Sequence, residues 1–343
     1  MNANRFSAIT GQYPRLKIAV VGDFCLDRYL EIDPARTELS LETGLEVHNV
    51  VRVRSQPGGA GTILNNLAAL GIGQVFAVGF CGEDAEGWEL RRSLAALPGV
   101  NLDSFLTTPL RRTFVYCKPL LVEADRPPRE LNRLDFKNWS PTPPELQDEL
   151  AVRVDQLAAT VDALVLLDQV DQPDTGVVTP LVAKAAHAAL LQRPELVTLA
   201  DSRRGVQGWP PLGFKMNGDE LARCFNMKSI DQDAVMVRSA ELARTNGQPM
   251  FVTLAKQGIV GAAAGRPAEH VPAHPVRGAI DIVGAGDAVT ANLAAALAAG
   301  ATPREAMQLA MAAASVVIHQ LGTTGTACVA QIADLLGLAA RND

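Results

Sequence analysis

The sequence contains few cysteines, and their spacing is unlike that of a disulfide framework. Five widely separated cysteines occur in 343 residues, an odd number without any CxxC pair. Small secreted domains that depend on disulfides carry denser, even-numbered sets. The pattern therefore predicts free thiols in a reducing cytoplasm. The five residues are Cys25, Cys81, Cys117, Cys224 and Cys328.

Long hydrophobic runs and an excess of positive charge are also missing. The longest uncharged apolar runs, 291–301 and 309–318, are too short to cross a bilayer, and no apolar leader segment is found near residue 1. A net charge of −6 and a pI near 5.5 argue against a general surface for nucleic acid or anionic membranes. These absences predict a soluble cytoplasmic protein that acts on small molecules, without a nucleic-acid or membrane partner.

What the sequence does have is a regular succession of apolar segments. Hydrophobic residues make up 48% of the chain, which is enough for the core of one large α/β domain. Continuous apolar runs such as 163–167 are typical of parallel strands buried on both faces. The predicted elements are strands 17–22, 74–79, 163–167, 196–200, 249–254 and 259–263, and helices 62–71, 87–97, 145–160, 176–192, 288–299 and 303–318.

Three other segments, 45–54, 113–122 and 131–136, show apolar residues with a period of two and do not alternate with helices. This pattern indicates half-exposed antiparallel strands. We therefore expect a single domain, residues 1–343, in which approximately 28–57 and 110–136 form a small β lid over the site. Because exposed edge strands tend to be covered, the lid edges are expected to pair in a homodimer.

Carboxylates follow several of the predicted strands. Asp23 and Asp27, in GDFCLDRY, come just after the first strand, and Asp168 and Asp201 each follow a later one directly. Open α/β sheets bind ligands beyond the carboxyl ends of their strands. We interpret Asp23 as a turn-capping residue and Asp27 as a ligand-binding residue.

The most informative stretch is Asp281 to Asp287, DIVGAGD, which leads directly into an alanine-rich helical run. Gly284 and Gly286 let the backbone approach an anion, and N–H groups of the first helical turn can point at it. If the carboxylate of Asp287 were only a ligand, it would repel a bound phosphate. We therefore interpret Asp287 as a base that deprotonates an attacking hydroxyl in phosphoryl transfer. The alternative is that Asp287 only caps the helix.

The pairing of GGAGTILNNLAALG (58–71) with DIVGAGDAV (281–289) resembles the two signatures of the ribokinase-like (PfkB) carbohydrate kinases, in the right order along nearly the whole chain. GDFCLDRY (22–29), LNRLDF (131–136) and HQLGTTGT (319–326) look closer to the heptose 7-phosphate kinase branch than to ribokinase. The resemblance implies a three-layer α/β fold with a central, mostly parallel sheet. It also implies a kinase that uses ATP and Mg²⁺ on a sugar or sugar phosphate. The chain ends soon after the kinase-like portion, so no nucleotidylyltransferase half is expected.

The resemblance also implies roles for individual residues. Asp287 matches the catalytic base, and the backbone of Gly284, Ala285 and Gly286 matches the anion hole. The implied sugar contacts are Asp27, Gly58, Gly59, Thr62 and Asp168. Asn217 and Glu220 match the NxxE motif that organises magnesium through water, together with the phosphates. The implied nucleotide contacts are Asn217, Glu220, Arg204, Thr253 and Gly258.

Several positions depart from the family pattern. Thr62 stands in the place of an asparagine that contacts the sugar, Ala255 replaces a glycine beside the nucleotide, and Met311 replaces an asparagine near the adenine. Arg204 stands where a lysine is usual, and residues 169–172 lack a glycine-rich turn. The catalytic residues are therefore kept while both recognition pockets are altered. We expect ribose and fructose to be poor substrates, and a larger or phosphorylated sugar to be preferred.

Two other classes of protein are alternatives to a kinase. A kinase-derived protein that binds a sugar or nucleotide without turnover would explain the altered pockets, but a pure binder has no need of the retained Asp287, Asn217 and Glu220. A dinucleotide-dependent oxidoreductase is disfavoured because Gly22 is not followed by the GxGxxG spacing.

Overall fold

Strands and helices alternate around a central sheet of ten strands in the computed structural model, which describes residues 1–124 and 126–338. These strands are β1 (Lys17–Gly22), β6 (Gln74–Gly82), β7 (Val100–Asn101), β8 (Phe105–Thr108), β12 (Ala163–Asp168), β13 (Val197–Ser202), β14 (Phe214–Asn217), β15 (Met250–Thr253), β16 (Ile259–Ala262) and β17 (Glu269–Val271). Their order is β17-β16-β15-β14-β13-β12-β1-β6-β7, with β8 beside β6. The pairs from β15 to β7 are parallel, and β16 and β17 extend the sheet antiparallel.

Helices cover both faces of this sheet. They are α1 (Ala3–Thr10), α2 (Ala60–Ala69), α3 (Ala85–Ala95), α4 (Pro144–Ala158), α5 (Pro180–Gln192), α6 (Gly218–Cys224), α7 (Gln232–Asn246), α8 (Ala285–Ala298), α9 (Pro303–Val317) and α10 (Val329–Leu335). Alternate residues of β1 belong to two cores, one on each face of the sheet. Ile18 belongs to the core that includes residues of α1, α2, α3, α8, α9 and α10, and Ala19 belongs to the core that includes residues of α4, α5, α6 and α7. The predicted three-layer α/β fold is confirmed.

A second sheet of five strands is built from the two segments that the sequence assigns to a lid. Its strands are β2 (Phe24–Ile32), β5 (Val50–Gly59), β9 (Phe114–Leu121), β10 (Arg129–Glu130) and β11 (Leu134–Phe136), in the order β10-β9-β2-β5 with β11 also on β9. A separate pair, β3 (Glu38–Leu39) and β4 (Glu46–Val47), lies in the connection between β2 and β5. That this sheet moves as a lid remains a prediction.

The sequence pattern does not predict the strand that contains Asp27. Residues 24–32 form β2, a central strand of the second sheet, rather than a loop after β1. Phe24 and Leu26 are fully buried on one side of β2 while Cys25 and Asp27 point to the other, so the segment does alternate. The alternation is short and includes a buried carboxylate, which hides it in the sequence.

Other differences concern element ends and weakly amphipathic segments. Helix α5 begins at Pro180 rather than at 176, because proline is favoured in the first turn and disfavours helix in the residue before it. The sequence did not predict α7, whose buried positions include only Val235, Ser239 and Ala243. No helix of the described residues is long and apolar enough to cross a membrane.

Candidate active site

The segment 281–287, called the anion loop below, forms the turn that the sequence predicts. Gly284 precedes α8 with a φ of +82°, a left-handed conformation that a side chain makes unfavourable. The N–H of Ala285 donates to the carbonyl of Ile282 at 3.2 Å, so it is already engaged. The N–H groups of Gly286 and Asp287 belong to the first turn, where a helix offers no acceptor. An anion at this position would therefore meet Gly286 and Asp287 rather than Ala285.

Asp287 keeps partial access to solvent in the first turn of α8. The surrounding protein raises the pKa of its carboxyl by desolvation to about 7, against the opposing charge of Lys215 and with support from Asp201 and Asp27. A general base works best when its pKa lies near the operating pH. The carboxyl of Asp287 thus has the ionisation behaviour that a base needs at neutral pH.

A buried ion pair lies directly beside the anion loop. Lys215 Nζ on β14 donates to Asp201 Oδ2 on β13 at 2.7 Å, and both residues are less than 10% exposed. A Cβ atom on Gly286 would lie 3.3 Å from the same Nζ, so the ammonium group abuts the loop. Sequence analysis missed Lys215. The available signal was a lysine inside an apolar strand segment, which is rarely buried without a partner.

Asp27 shares one face of the second sheet with Tyr29, Gln56, Tyr116 and Lys118, and we call this surface the lid face. The charge of Asp27 acts on Asp287, so the lid face is turned toward the anion loop. A Cβ atom on Gly58 would lie 2.7 Å from Asp27 Oδ2, so the carboxylate occupies the space that glycine leaves. Lys118 Nζ is 3.7 Å from Asp27 Oδ1. Burial raises the pKa of Asp27, and the charges of Lys118 and Arg133 oppose that shift. The structure therefore brings Asp27 and Gly58 together as predicted.

Two tyrosines on the lid face are each flanked by two cations. Tyr116 pairs with Asp27 across neighbouring parallel strands, so both side chains lie on the same face. The cation-to-ring distances are 4.9 Å for Arg54 and 4.8 Å for Lys118 over Tyr29, and 5.0 Å for Arg133 and 5.9 Å for Lys137 over Tyr116. Each of these cations also has a carboxylate partner, so the lid face carries paired charges. The pairs are Arg54 with Glu31, Lys118 with Asp27, Arg133 with Asp135 and Lys137 with Asp171.

Three predicted contacts, Asp168, Arg204 and Thr62, are held within the protein in this structure. Asp168 is 0% exposed, and its Oδ2 accepts from Ser202 Oγ at 2.7 Å and from Arg204 Nη2 at 2.9 Å. Asp168 Oδ1 and Arg204 Nε have no hydrogen-bond partner among the described residues, so the roles predicted for Asp168 and Arg204 stay predictions. Thr62 is 1% exposed inside α2, because this helix begins two residues earlier, at Ala60, after Gly59.

Asp23 is also structural. Its carboxylate oxygens accept from the N–H groups of Gln169 at 2.8 Å and Val177 at 2.7 Å. Asp23 thus fixes the loop after β12 that replaces the glycine-rich turn, which agrees with its interpretation as a capping residue.

Asn217 and Glu220 form a capping box at the start of α6. Asn217 Oδ1 accepts from the N–H of Glu220 at 2.9 Å, and Glu220 Oε2 accepts from the N–H of Asn217 at 2.7 Å. Burial raises the pKa of Glu220, which is 8% exposed. Among the hydrogen bonds of the described chain, none occupies Glu220 Oε1. The capping box therefore uses Glu220 Oε2 and leaves Oε1 open to another partner.

The predicted nucleotide contacts lie at the ends of β15 and β16. Thr253 ends β15, and its hydroxyl donates to the carbonyl of Met216 at 3.3 Å. Gly258 closes the turn into β16, and Ala255 in that turn has a positive φ of 48°. Met311 is 6% exposed in α9 and packs in the core.

Comparison with known proteins places this geometry in a family. The family described as pfkB family carbohydrate kinase matches residues 15–328. The bifunctional protein HldE from Gluconacetobacter diazotrophicus is 30% identical over 329 residues, which cover 95% of this chain and 63% of the relative. HldE from Klebsiella pneumoniae is 32% identical over 316 residues, covering 91% and 62% respectively. The chain therefore spans less than two thirds of the length of these relatives.

Solved structures agree on the fold. Phosphofructokinase-2 from Escherichia coli, in complex with substrates and products, superimposes with a TM-score of 0.71 at 19% identity, over 95% of this chain and 100% of that one. Arabidopsis thaliana ribokinase, complexed with ribose and ATP, gives a TM-score of 0.65 at 21% identity, over 94% and 98%.

The family match and the fold together define a carbohydrate kinase with a ribokinase-like architecture. The chain belongs to the pfkB family of carbohydrate kinases. Its similarity to HldE proteins also confirms the resemblance to the heptose 7-phosphate kinase branch.

Proposed function

We propose that the chain transfers the terminal phosphoryl group of ATP to a hydroxyl group of a sugar or sugar phosphate, with Asp287 as the general base. The observation that supports this most directly is the position of Asp287 in the first turn of α8, next to Gly286, against which the ammonium group of Lys215 lies. Desolvation at this position raises the pKa of Asp287 to about 7. Gly284 is the N-cap residue of α8, and no side chain makes a capping hydrogen bond there, so capping does not account for Asp287.

In the proposed step, Asp287 takes the proton from the acceptor hydroxyl as the hydroxyl oxygen bonds to the phosphorus of ATP. The bond from that phosphorus to the bridging oxygen breaks, and ADP leaves. The N–H groups of Gly286 and Asp287 stabilise charge on the phosphoryl oxygens, with the ammonium group of Lys215 beside them. Asp27 holds a sugar hydroxyl from the opposite side.

Magnesium is part of this proposal, and the residues present fit it. Within the described residues no group of three or more His, Cys, Asp or Glu side chains could hold a metal by itself. Mg²⁺ is commonly bound by one or two carboxylates together with water and substrate phosphates. Glu220, through Oε1, and Asn217 would hold it through water, and the ion would neutralise charge on the phosphates when bound.

The central test is Asp287→Asn, which keeps the size of the side chain but cannot take a proton. We expect turnover, measured as ADP release with a panel of sugars and sugar phosphates, to fall about 10²–10⁴-fold. Nucleotide affinity and thermal stability should stay close to those of the wild type.

Asp233→Asn is the matched control, because Asp233 is an exposed aspartate in the first turn of α7. It should turn over like the wild type. An Asp287→Asn variant that folds normally and keeps more than roughly a tenth of wild-type turnover would contradict the base assignment.

We further propose that the acceptor is a sugar phosphate rather than a neutral sugar. Lys118 and Arg133 both act electrostatically on Asp27, the predicted contact for a sugar hydroxyl. Lys118 is paired with Asp27 itself and Arg133 with the partly exposed Asp135, so an anionic group on the sugar would share these cations with their carboxylate partners. The corresponding selectivity experiment is described in the Discussion.

A homodimer through the second sheet is the proposed assembly. Val50, Val51 and Val53 on the outer strand β5 are 43%, 50% and 55% exposed. An exposed apolar edge strand is a site where a second chain can pair. Light scattering should show a dimer that Val51→Lys weakens, and a wild-type monomer at micromolar concentration would contradict this assembly.

A further inference from the structure

We infer that Gln56 is a positioning residue that ties the lid face to the anion loop, so that the sugar and the transferred phosphoryl group are held in one frame. The inference rests on the proposed phosphoryl transfer. It concerns the segment 319–326, HQLGTTGT, to which the proposed function gives no role.

Gln56 lies on the lid face beside the predicted sugar contacts. Its Cα pairs with that of Asp27 across the antiparallel strands β2 and β5, and it precedes Gly58 by two residues. Both ends of its amide are used. Nε2 donates to Thr324 Oγ1 at 2.6 Å, and Oε1 accepts from Thr323 Oγ1 at 3.0 Å. A single side chain of the second sheet therefore holds two hydroxyls of one distant loop.

That loop packs directly against the anion loop. Thr324 is 7% exposed, and a Cβ atom on Gly284 would lie 3.3 Å from Thr324 Cβ. The N–H of Gly322 also donates to Asp281 Oδ2 at 3.3 Å. Hence the segment that Gln56 holds touches the residue that starts the anion-binding turn and the aspartate that opens the anion loop.

The loop between these contacts is internally braced. Gln320 Nε2 donates to the carbonyl of Thr326 at 2.7 Å, and its Oε1 accepts from the N–H of Thr326 at 3.1 Å. A braced loop transmits a displacement instead of absorbing it. A shift of the lid face relative to the main sheet would therefore reach Gly284 through Thr324.

Phosphoryl transfer gives this connection a consequence for rate. The acceptor hydroxyl is held from the lid face and the phosphoryl group from the anion loop, and a misplacement of about 1 Å between reacting groups costs about 10²-fold. Gln56 makes its two hydrogen bonds away from the nucleotide turn of β15 and β16. Its loss should therefore lower kcat far more than it changes the KM for ATP.

The test is a double-mutant cycle with Gln56→Ala and Thr324→Val, where valine keeps the packing against Gly284 and loses only the hydroxyl. Each single variant should lower kcat for the best sugar substrate roughly tenfold, with the KM for ATP within about twofold. Because both break the same connection, the double variant should be no slower than the slower single variant. Ser55→Ala, on the neighbouring residue of β5, is the control and should leave kcat unchanged.

A kcat within about twofold of the wild type for Gln56→Ala, or losses that multiply in the double variant, would overturn the inference. If Thr324→Val fails to fold, Thr323→Val completes the cycle through the other hydroxyl. Wild-type turnover distinguishes a failure of the proposed function from a failure of the role of Gln56. A wild type without kinase activity contradicts the proposed function, whereas an active wild type with an equally active Gln56→Ala variant contradicts only the role of Gln56.

Discussion

The anion loop and the lid face, the two sides of the candidate site, are built from different kinds of groups. The anion loop presents backbone N–H groups at a helix start, backed by the buried pair of Lys215 and Asp201. The lid face presents long cationic side chains, such as Arg133, which is exposed, over tyrosine rings. Backbone groups and buried charges cannot rearrange without disturbing the fold, whereas exposed side chains can.

This difference predicts different effects of mutation on the two sides. Positioning and electrostatic stabilisation supply most of the catalysis in phosphoryl transfer, so the groups that do this must be rigid. Changes near the anion loop should therefore alter rate and pH dependence, and changes to the exposed cations of the lid face should alter substrate preference.

The largest effect is expected from breaking the buried pair. Lys215→Met removes a cation that favours the ionised form of Asp287, so the pKa of Asp287 should rise above about 7. A base acts when deprotonated, and the acidic limb of the kcat/KM profile should therefore move to higher pH. Asp201→Asn removes a neighbouring anion, and the same limb should move to lower pH.

Both of these variants should also lose about 3–5 kcal/mol of stability, because each leaves a buried charge without its partner. The shared loss of stability and the opposite pH shifts separate electrostatics from general damage. Thermal unfolding and pH–rate profiles on the same preparations measure both. Shifts of the same sign in the two variants would contradict the electrostatic account.

A smaller effect is expected at Glu220. Glu220→Gln keeps an acceptor for the N–H of Asn217, so the capping box and the fold should survive. The loss of the carboxylate charge should raise the magnesium concentration needed for half-maximal turnover about tenfold. A magnesium titration of the ADP-release rate gives this value directly, and an unchanged titration would leave Glu220 with a capping role only.

The lid face should respond through selectivity. Arg133→Ala should lower kcat/KM for a sugar phosphate about fivefold, as expected for the loss of roughly 1 kcal/mol from an exposed charge interaction. The value for the same sugar without its phosphate should change less than twofold. Arg129→Ala, an exposed arginine on β10 of the same sheet, is the control. Equal losses for both sugars would contradict a phosphate-directed role.

Much of the fold and the centre of the site could be predicted from local sequence. The anion loop is contiguous, so Gly284 and Asp287 show their relationship directly, and the buried strands show continuous apolar runs. Asp27 and Gly58 were found by resemblance, and their contact needed the structure because β2 pairs with β5 across the chain.

The remainder depended on contacts between distant segments. Lys215 is an isolated lysine in an apolar segment of the sequence. Its partner Asp201 lies on the neighbouring strand β13, and its neighbour Gly286 lies at the start of α8, so both relationships appear only in the folded protein. The partnership of Asp168 with Arg204 likewise follows from the adjacency of β12 and β13. Local sequence patterns do not show that Asp168 bonds Arg204 or that Asp201 bonds Lys215.

The smallest expected effect concerns Ala255, which the sequence marks as an alanine in place of a usual glycine. Its φ of +48° is a left-handed conformation that costs an L-residue about 1–2 kcal/mol. Glycine removes this strain but has more freedom to lose on folding, which offsets about 0.5–1 kcal/mol. Ala255→Gly should therefore stabilise the protein by up to about 1 kcal/mol.

Ala240→Gly, in the interior of α7, should destabilise it by about the same amount, because glycine is a poor helix former. Urea unfolding of the two variants compares the same chemical change with opposite expected signs, and destabilisation at both positions would show that Ala255 carries no strain for glycine to relieve.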